Sequence, residues 1–345
     1  MTEIPVIIIN WNGLEDTIES VESLINQSYK DIEIHIADNN SREEEFKKLS
    51  ARYDSNPKVI LYKNKENLGF TLAHNVLFEK LLKEDYEYIA LLNNDAVADK
   101  SWIENMLHSA EKENADIVAC KMLNYYDREI IDSQGLYLLS SGEILPVGNG
   151  ESVETFRNQG AIIGASGGAC LLKTEMLKET GIFDSYFSTG YEDAELGLRA
   201  FINGKKIIFS EDAIVYHKIS KSVSKVSNEK KIQKIYEDKN YTYLKLIPAG
   251  VLVLNLIPNI LRFILIILIH LLNLRFRFLK NYLVAHYHTF TNDMGKILKA
   301  RSEMRGKRKI NSSTIIKNQR FVFYHDILRF YKFILKGENN KLEKY

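Results

Sequence analysis

Cysteine is scarce. Cys120 and Cys170 are the only two in 345 residues, and both lie in apolar runs. Two such residues do not make a disulfide framework, and they fit a reducing compartment. Phosphate-binding glycine motifs are missing too: neither GxxxxGK[ST] nor GxGxxG occurs in the first strand-to-helix turn. That weighs against P-loop enzymes and dinucleotide oxidoreductases. The opening "MTEIPVIIIN" has no basic stretch ahead of an apolar one and reads as a first strand, not a signal peptide. No internal repeat is present.

What is there is the composition of a folded protein: 45% hydrophobic, 11% aromatic and 26% charged. The length suggests one large domain plus something extra. A net charge of +1 hides an asymmetry. Residues 1–217 carry 20 Lys+Arg and 37 Asp+Glu, a balance of −17, and residues 218–345 carry 26 and 8, a balance of +18. An acidic half joined to a basic half implies two jobs. The basic half needs an anionic partner: nucleic acid, anionic lipid or a phosphorylated substrate.

The acidic half alternates strand and helix signals. Strands are expected at 5–10, 32–39, 58–64 and 86–95, and helices at 14–29, 41–53 and 72–84, with Ser41 capping the second helix. Strand-like pieces follow at 116–123 and 169–173 around the glycine-rich "GASGG" (164–168). A helix at about 193–203 ends at Gly204, and strands follow at 206–210 and 213–217. This pattern predicts an α/β fold, a mostly parallel sheet flanked by helices. Ligands then bind beyond the carboxyl ends of the strands.

After His217 the chain turns Lys- and Ser-rich, as in a mobile loop or linker over 218–240. The run "LIPAGVLVLNLIPNILRFILIILIHLLNL" (246–274) has Arg262 as its only formal charge. It is long enough for a membrane span. Because Pro248 opens it and Pro258 splits it, two short helices in the interface fit at least as well. "RFRFLKNY" (275–282) alternates cations with aromatics, as at a membrane surface. The expected layout is therefore a catalytic domain over 1–217, a linker, and a helical, basic, membrane-associating region over 241–345. An ordinary buried helical pair with a solvated basic tail is the plainer alternative.

The strand ends carry the chemistry. Trp11, in "NWNG", offers a flat face for a base, or else fills the core. Asp38, in "ADNNS", can accept from a ribose or a base edge, since Ser41 alone could cap the helix. Gly69 would let backbone approach a ligand, and Asn67 and Asn75 supply amides. Asp95, in "LLNNDA", sits where a hard cation on phosphates needs a carboxylate, and otherwise is a strand-end turn. His217 ends the last strand, and only the fold decides whether it meets Asp95. In "GYEDAELGLR" (190–199), Glu195 and Arg199 are spaced to pair on a helix surface. Acids also suit the first turn of a helix, whose dipole favours them, but neither duty needs both Glu192 and Asp193, and the same terminus would keep a carboxylate there ionised.

Read in order, "VIIINWNG", "ADNNS", "ENLGF…HN", "LLNNDA", "SGGACLL", "GIFDSYFSTGYEDAELGLRA" and "IVYH" resemble glycosyltransferase family 2, especially its bacterial rhamnosyltransferase-like members. The likeness covers about residues 4–217. It implies a GT-A fold, a nucleotide-sugar donor such as dTDP-rhamnose or a UDP-sugar, a divalent cation (Mg2+ or Mn2+), and transfer with inversion. Carried over by position, Trp11, Asn12, Asp38, Asn67, Gly69, Asn75, Asn94, Gly167 and Gly168 would bind the donor. Asp95 would bind the metal with His217 as a further ligand, and Asp193 would be the general base with Glu192 as second candidate. Two departures stand out: the metal motif is Asn93-Asn94-Asp95, without its first acid, and Trp11 replaces the usual tyrosine.

The expectation is an inverting glycosyltransferase at the cytoplasmic face of the cell membrane, held there peripherally, by a re-entrant segment or by a single hydrophobic anchor near 246–274. It would act on a lipid-pyrophosphate-linked glycan in cell-surface polysaccharide assembly, and the basic half would meet an anionic membrane. A catalytically weak nucleotide-sugar-binding scaffold is the alternative. Nucleic acid is not an expected partner, because a nucleic-acid surface has no use for 29 nearly uncharged residues.

Overall fold

A computed structural model describes residues 3–157, 160–218, 228–324 and 326–327. They fall into two compact units: Met1–Leu136, Pro146–Phe201 and Lys205–Ser220 in one, Tyr137–Leu145, Ile202–Gly204 and Lys221–Tyr345 in the other.

The first unit starts with β1 (Ile4–Asn10), α1 (Leu14–Ile25), β2 (Ile32–Asp38), α2 (Glu43–Tyr53), β3 (Val59–Lys63), α3 (Gly69–Leu81) and β4 (Tyr88–Leu92). It continues through β5 (Ala96–Ala98), α4 (Trp102–Glu113), β6 (Ile117–Asn124) and β7 (Ile131–Ser133). Strands β8 (Leu136–Leu139) and β9 (Ile144–Pro146) come next in the chain. Then follow β10 (Ala169–Lys173), α5 (Thr174–Thr180), α6 (Glu192–Ile202) and β11 (Ile207–His217). The main sheet runs β3-β2-β1-β4-β10-β6-β11-β5, with β7 on β6. The pairs β1–β2, β2–β3, β1–β4 and β6–β11 are parallel. β10 runs antiparallel between β4 and β6, and β5 antiparallel on β11.

The mostly parallel sheet follows from strands such as β1. Ile4, Val6, Ile7 and Ile8 are fully buried, so the strand reads as a continuous apolar run. Val21 and Leu24 of α1 join Ile8, Ile34, Trp102 and Met106 in one core, as their three-residue spacing directs.

Element ends depart from the sequence expectation where tertiary bonds intervene. Helix α1 stops at Ile25, short of residue 29, and Gln27 turns instead to Asp99 O (2.7 Å) and Ile103 N (3.1 Å). Ser41 does not cap α2; its Oγ accepts from Asn12 N at 2.9 Å. α3 begins three residues early, at Gly69, because Ser188 O accepts the amides of Phe70 and Thr71 (3.1 and 3.2 Å). The pieces "KIIFS" and "AIVYH" form one strand, β11, with a register shift between Ser210 and Ile214.

The second unit pairs β8 with β9 and with β12 (Gln319–Arg320). Around them stand α7 (Asn228–Leu246), α8 (Ala249–Leu254), α9 (Leu256–Leu272), α10 (Phe276–His288), α11 (Met294–Met304) and α12 (Ser312–Asn318). Of the expected Lys/Ser-rich loop, residues 219–227 lie outside the described residues, and from Asn228 the chain is helical. Pro258 does not split the apolar run. The break falls at Asn255, and Pro258 sits in the first turn of α9, where its missing N–H has no intrahelical partner to lose. Arg262 pairs with Glu143 and Asp326, both at 2.8 Å. α9 has no buried residue and exposes Ile257, Leu261, Ile264 and Leu268. Among the described residues, no helix is long and apolar enough to cross a membrane.

Candidate active site

The β1 turn is knotted to the end of β2. Fully buried Asn10 donates from Nδ2 to Asp38 Oδ2 (2.8 Å), while its Oδ1 accepts from Thr17 Oγ1 (2.8 Å). Asp38 Oδ1 accepts from Ser41 N (3.0 Å). Asp38 is 0% exposed with both oxygens committed. It therefore has a structural duty, holding the turn after β2, although no side chain caps α2. Asn12 takes φ +52, a left-handed value that Asn tolerates, and its Oδ1 accepts from Arg42 N (2.9 Å). The turn throws Trp11 outward at 52% exposure, so it is not a core tryptophan.

The loop after β3 is held by a residue the sequence did not mark. Asn39 donates to Asn67 Oδ1 (2.8 Å) and Gly69 O (3.0 Å), and accepts from Leu68 N (2.9 Å). Gly69 has φ +74, and a Cβ there would meet Ser188 O at 2.9 Å. Its close backbone approach is thus to the protein's own chain. Asn75 Nδ2 donates to Phe183 O at 2.9 Å. These amides build the loop wall from within.

Asp95 and His217, 122 residues apart, do meet: His217 Nε2 lies 3.2 Å from Asp95 Oδ1. On the other side of the ring, Nδ1 lies 2.8 Å from Asp132 Oδ2. Burial disfavours the imidazolium, but the hydrogen bonds and charges of Asp132 and Asp95 outweigh it and raise the pKa to about 10. Among the described residues, Asp95 Oδ2 is buried and finds no hydrogen-bond partner. Asn94 Nδ2 donates to Thr17 Oγ1 at 3.2 Å. Among the described residues, no three His, Cys, Asp or Glu are grouped to hold a metal by themselves.

The glycine-rich segment links this corner to the acidic helix. Gly168 O accepts from Asn93 N (2.8 Å), and Gly167 N donates to Asp193 Oδ2 (2.8 Å). Asp193 is partly exposed, whereas Glu192 is buried at 4% exposure. Burial is the largest influence on the Asp193 carboxyl and raises its pKa above the ordinary 3.8, although the amides of Gly167 and Ala194 pull it down. The net direction is opposite to what the helix dipole alone would produce.

Glu195 and Arg199 pair as their spacing directs, but in the interior and not on the helix surface. They are 0% and 5% exposed. Arg199 Nε and one Nη contact the carboxylate at 2.8–3.1 Å, and its Nη atoms also donate to the carbonyls of Thr180, Gly181 and Ile182. The pair ties the segment before the acidic cluster to α6.

Asp132 was missed because "IIDSQG" carries no local mark of chemistry, and Asn39 because it sits beside the more conspicuous Asp38. Ser188 acts through its backbone carbonyl, which no side-chain pattern reveals.

Residues 6–181 match the family model "Glycosyl transferase family 2". The glycosyltransferase GlyG of Streptococcus pneumoniae is 24% identical over 232 residues, 64% of this chain and 72% of that protein. The Escherichia coli UDP-Glc:alpha-D-GlcNAc-diphosphoundecaprenol beta-1,3-glucosyltransferase WfaP is 32% identical over 126 residues, 36% of this chain and 47% of that one. The chain spans as little as 16% of the curated relatives it matches, as with a bifunctional glycosyltransferase of Dictyostelium discoideum. The solved mannosyltransferase PcManGT of Pyrobaculum calidifontis, in complex with GDP-Man and Mn2+, superposes with a TM-score of 0.52 at 12% identity. That match covers 96% of this chain and 81% of the other, and the likeness is one of fold, GT-A.

Proposed function

The chain belongs to glycosyl transferase family 2, and on that premise we propose that it moves a sugar from a nucleotide-sugar donor to a lipid-pyrophosphate-linked glycan, with inversion. The observation that carries the site assignment is the bridge through Gly167 and Gly168. Consecutive residues bond Asp193 on one side and Asn93 on the other. This supports reading Asp193 and the corner around Asn93 and Asp95 as parts of one site.

Asp193 takes the acceptor hydroxyl's proton as that oxygen bonds to the anomeric carbon. The bond from that carbon to the diphosphate breaks on the opposite face, and the nucleoside diphosphate leaves. Such base catalysis typically contributes about 10²–10⁴-fold. A carboxyl whose pKa is raised by burial is the stronger base once ionised. The partial exposure of Asp193 against the burial of Glu192 supports Asp193 for this role.

The unbonded Asp95 Oδ2, beside His217, fits a hard cation that draws its remaining ligands from a diphosphate and water. Asp95, and His217 once its Nε2 has released its proton, would hold Mg2+ or Mn2+, which when bound supplies charge neutralisation to the leaving diphosphate. The exposed face of Trp11 would stack on the base. The loops built around Asn12, Asn67, Gly69, Asn75, Asn94, Gly167 and Gly168 would shape the donor pocket, with Asp38 bracing the nucleoside turn.

A dTDP-rhamnose or UDP-sugar donor fits this reading. The diphosphoundecaprenol substrate in the E. coli relative's name supports a lipid-linked acceptor. Between Asp238 and Asp293 there is no carboxylate, and Arg275, Arg277 and Lys280 are exposed, as is the apolar face of α9, while Lys239 and Lys245 are buried and Arg262 is paired. That supports peripheral docking on an anionic membrane at its cytoplasmic face, with the first unit catalytic and the second membrane-associating.

A thermal-shift panel of nucleoside diphosphate sugars, with and without Mn2+, tests the donor site, and stabilisation by none of them sinks it. Transfer lost in Asp193→Asn with folding intact is the expected outcome for the base. Wild-type turnover in Asp193→Asn together with a dead Glu192→Gln reverses the two roles. A wild-type protein that binds donor yet neither hydrolyses nor transfers it is the scaffold.

A further inference from the structure

We propose that Asp132 and Asn149 are positioning residues that hold the His217 imidazole with Nε2 turned toward Asp95. The proposal rests on the assignment of Asp95 and His217 as the cation corner. Neither Asp132 nor Asn149 belongs to a strand end or motif that carries the donor chemistry.

The backbone aims Asp132. In the antiparallel pair of β6 and β7, Met122 faces Ser133 and Leu123 faces Ile131. Two residues of β6 therefore oppose three of β7, and Asp132 is the extra one. A bulge of this kind re-aims a side chain. Here the carboxylate reaches His217, which β11 places opposite Asn124, the next residue after Leu123 at the same end of β6. Asp132 Oδ2 takes Nδ1 at 2.8 Å. Asn149 Nδ2 then donates to both the Asp132 carbonyl (2.9 Å) and its Oδ1 (3.4 Å), which holds the carboxylate in turn. The three side chains form a chain, Asn149 to Asp132 to His217, that ends at Asp95.

An imidazole whose Nδ1–H is held by a carboxylate has both its ring orientation and its tautomer set, and Nε2 is the nitrogen left to face a ligand. Asparagine at 132 can present an N–H to Nδ1 and so favours the opposite tautomer. Asp132→Asn thus alters the device while keeping its shape.

The test uses the full chain and two readouts. One is Mn2+ binding in the presence of UDP, followed by the electron paramagnetic resonance of free Mn2+. The other is the ring 15N shifts of His217 in metal-free protein. Asp132→Asn is expected to bind Mn2+ about 10–100-fold more weakly and to move the His217 Nδ1 signal. Asn149→Ala is expected to shift both readouts the same way by less. If Asp132→Asn binds Mn2+ as wild type does while His217→Ala does not, the positioning role is overturned. If His217→Ala and Asp95→Asn also bind as wild type, the cation corner itself is wrong. The nitrogen signals then decide alone: an unmoved Nδ1 overturns the positioning role, and a displaced one upholds it. Should Asp132→Asn fail to fold, Asn149→Ala is judged by the same two criteria.

Discussion

The amide of Gly167 donates to the Asp193 carboxylate at 2.8 Å, and a Cβ on residue 167 would stand 3.2 Å from Asp193 Cβ. The glycine is therefore a condition for where the carboxylate sits. Gly167→Ala forces Asp193 to give by a few tenths of an ångström. Displacements short of 1 Å already lower rates, so kcat should fall by about tenfold. The unfolding midpoint should move little. Steady-state kinetics beside urea unfolding checks both, and an unchanged kcat would remove the positional argument.

Arg199 is the buried donor to Glu195 and to three carbonyls. Arg199→Ala takes the cation away from the buried Glu195 carboxylate, a loss of about 3–5 kcal/mol. Replacing both residues by leucine should cost less than the single change, because no charge is stranded. Chemical unfolding of the two variants gives the comparison directly.

His217 contributes a pH dependence with a defined sign. Its folded pKa, about 10, lies above its ordinary 6.5. The stabilisation is therefore fully present below about 6.5 and is lost as the pH rises through about 10. A shift of this size is worth on the order of 5 kcal/mol. In metal-free buffer the stability gap between wild type and His217→Asn should be widest near pH 6 and close by pH 11. A gap that widens with pH would contradict the assignment of Asp95 and Asp132 as its partners.

The α9 face makes a prediction about the second unit. Ile264→Asp and Leu268→Asp each put a charge on an exposed apolar stripe. Sedimentation with phosphatidylglycerol vesicles should fall by at least about tenfold in the double variant. Binding should also weaken with salt and on neutral phosphatidylcholine. Equal recovery of variant and wild type in the pellet would take the membrane role away from α9.

Much of the fold is legible along the chain because it is local. The β-branched run of β1, the three-residue spacing of Val21 and Leu24 on α1, and the acids opening α6 each state an element without reference to distant residues. The strand-end clusters are legible for the same reason, since the chemistry-bearing residues follow their strands immediately. Element ends are less so. Where Gln27 turns to Asp99, and where Ser188 accepts the first amides of α3, a partner 72 or more residues away decides the boundary.

By itself, then, the sequence determined the alternation of strands and helices, the list of chemistry-bearing strand ends and the division into an acidic and a basic half. Tertiary structure alone decided which of those residues meet. Asp95 and His217 come together because β5 pairs antiparallel with β11, and Asp132 joins them because β7 bulges against β6. Whether Glu195 and Arg199 face water or the core was settled by what packs on α6, not by their spacing. Strand pairing, bulges and burial come from contacts between segments far apart in the chain, and periodicity carries no record of them.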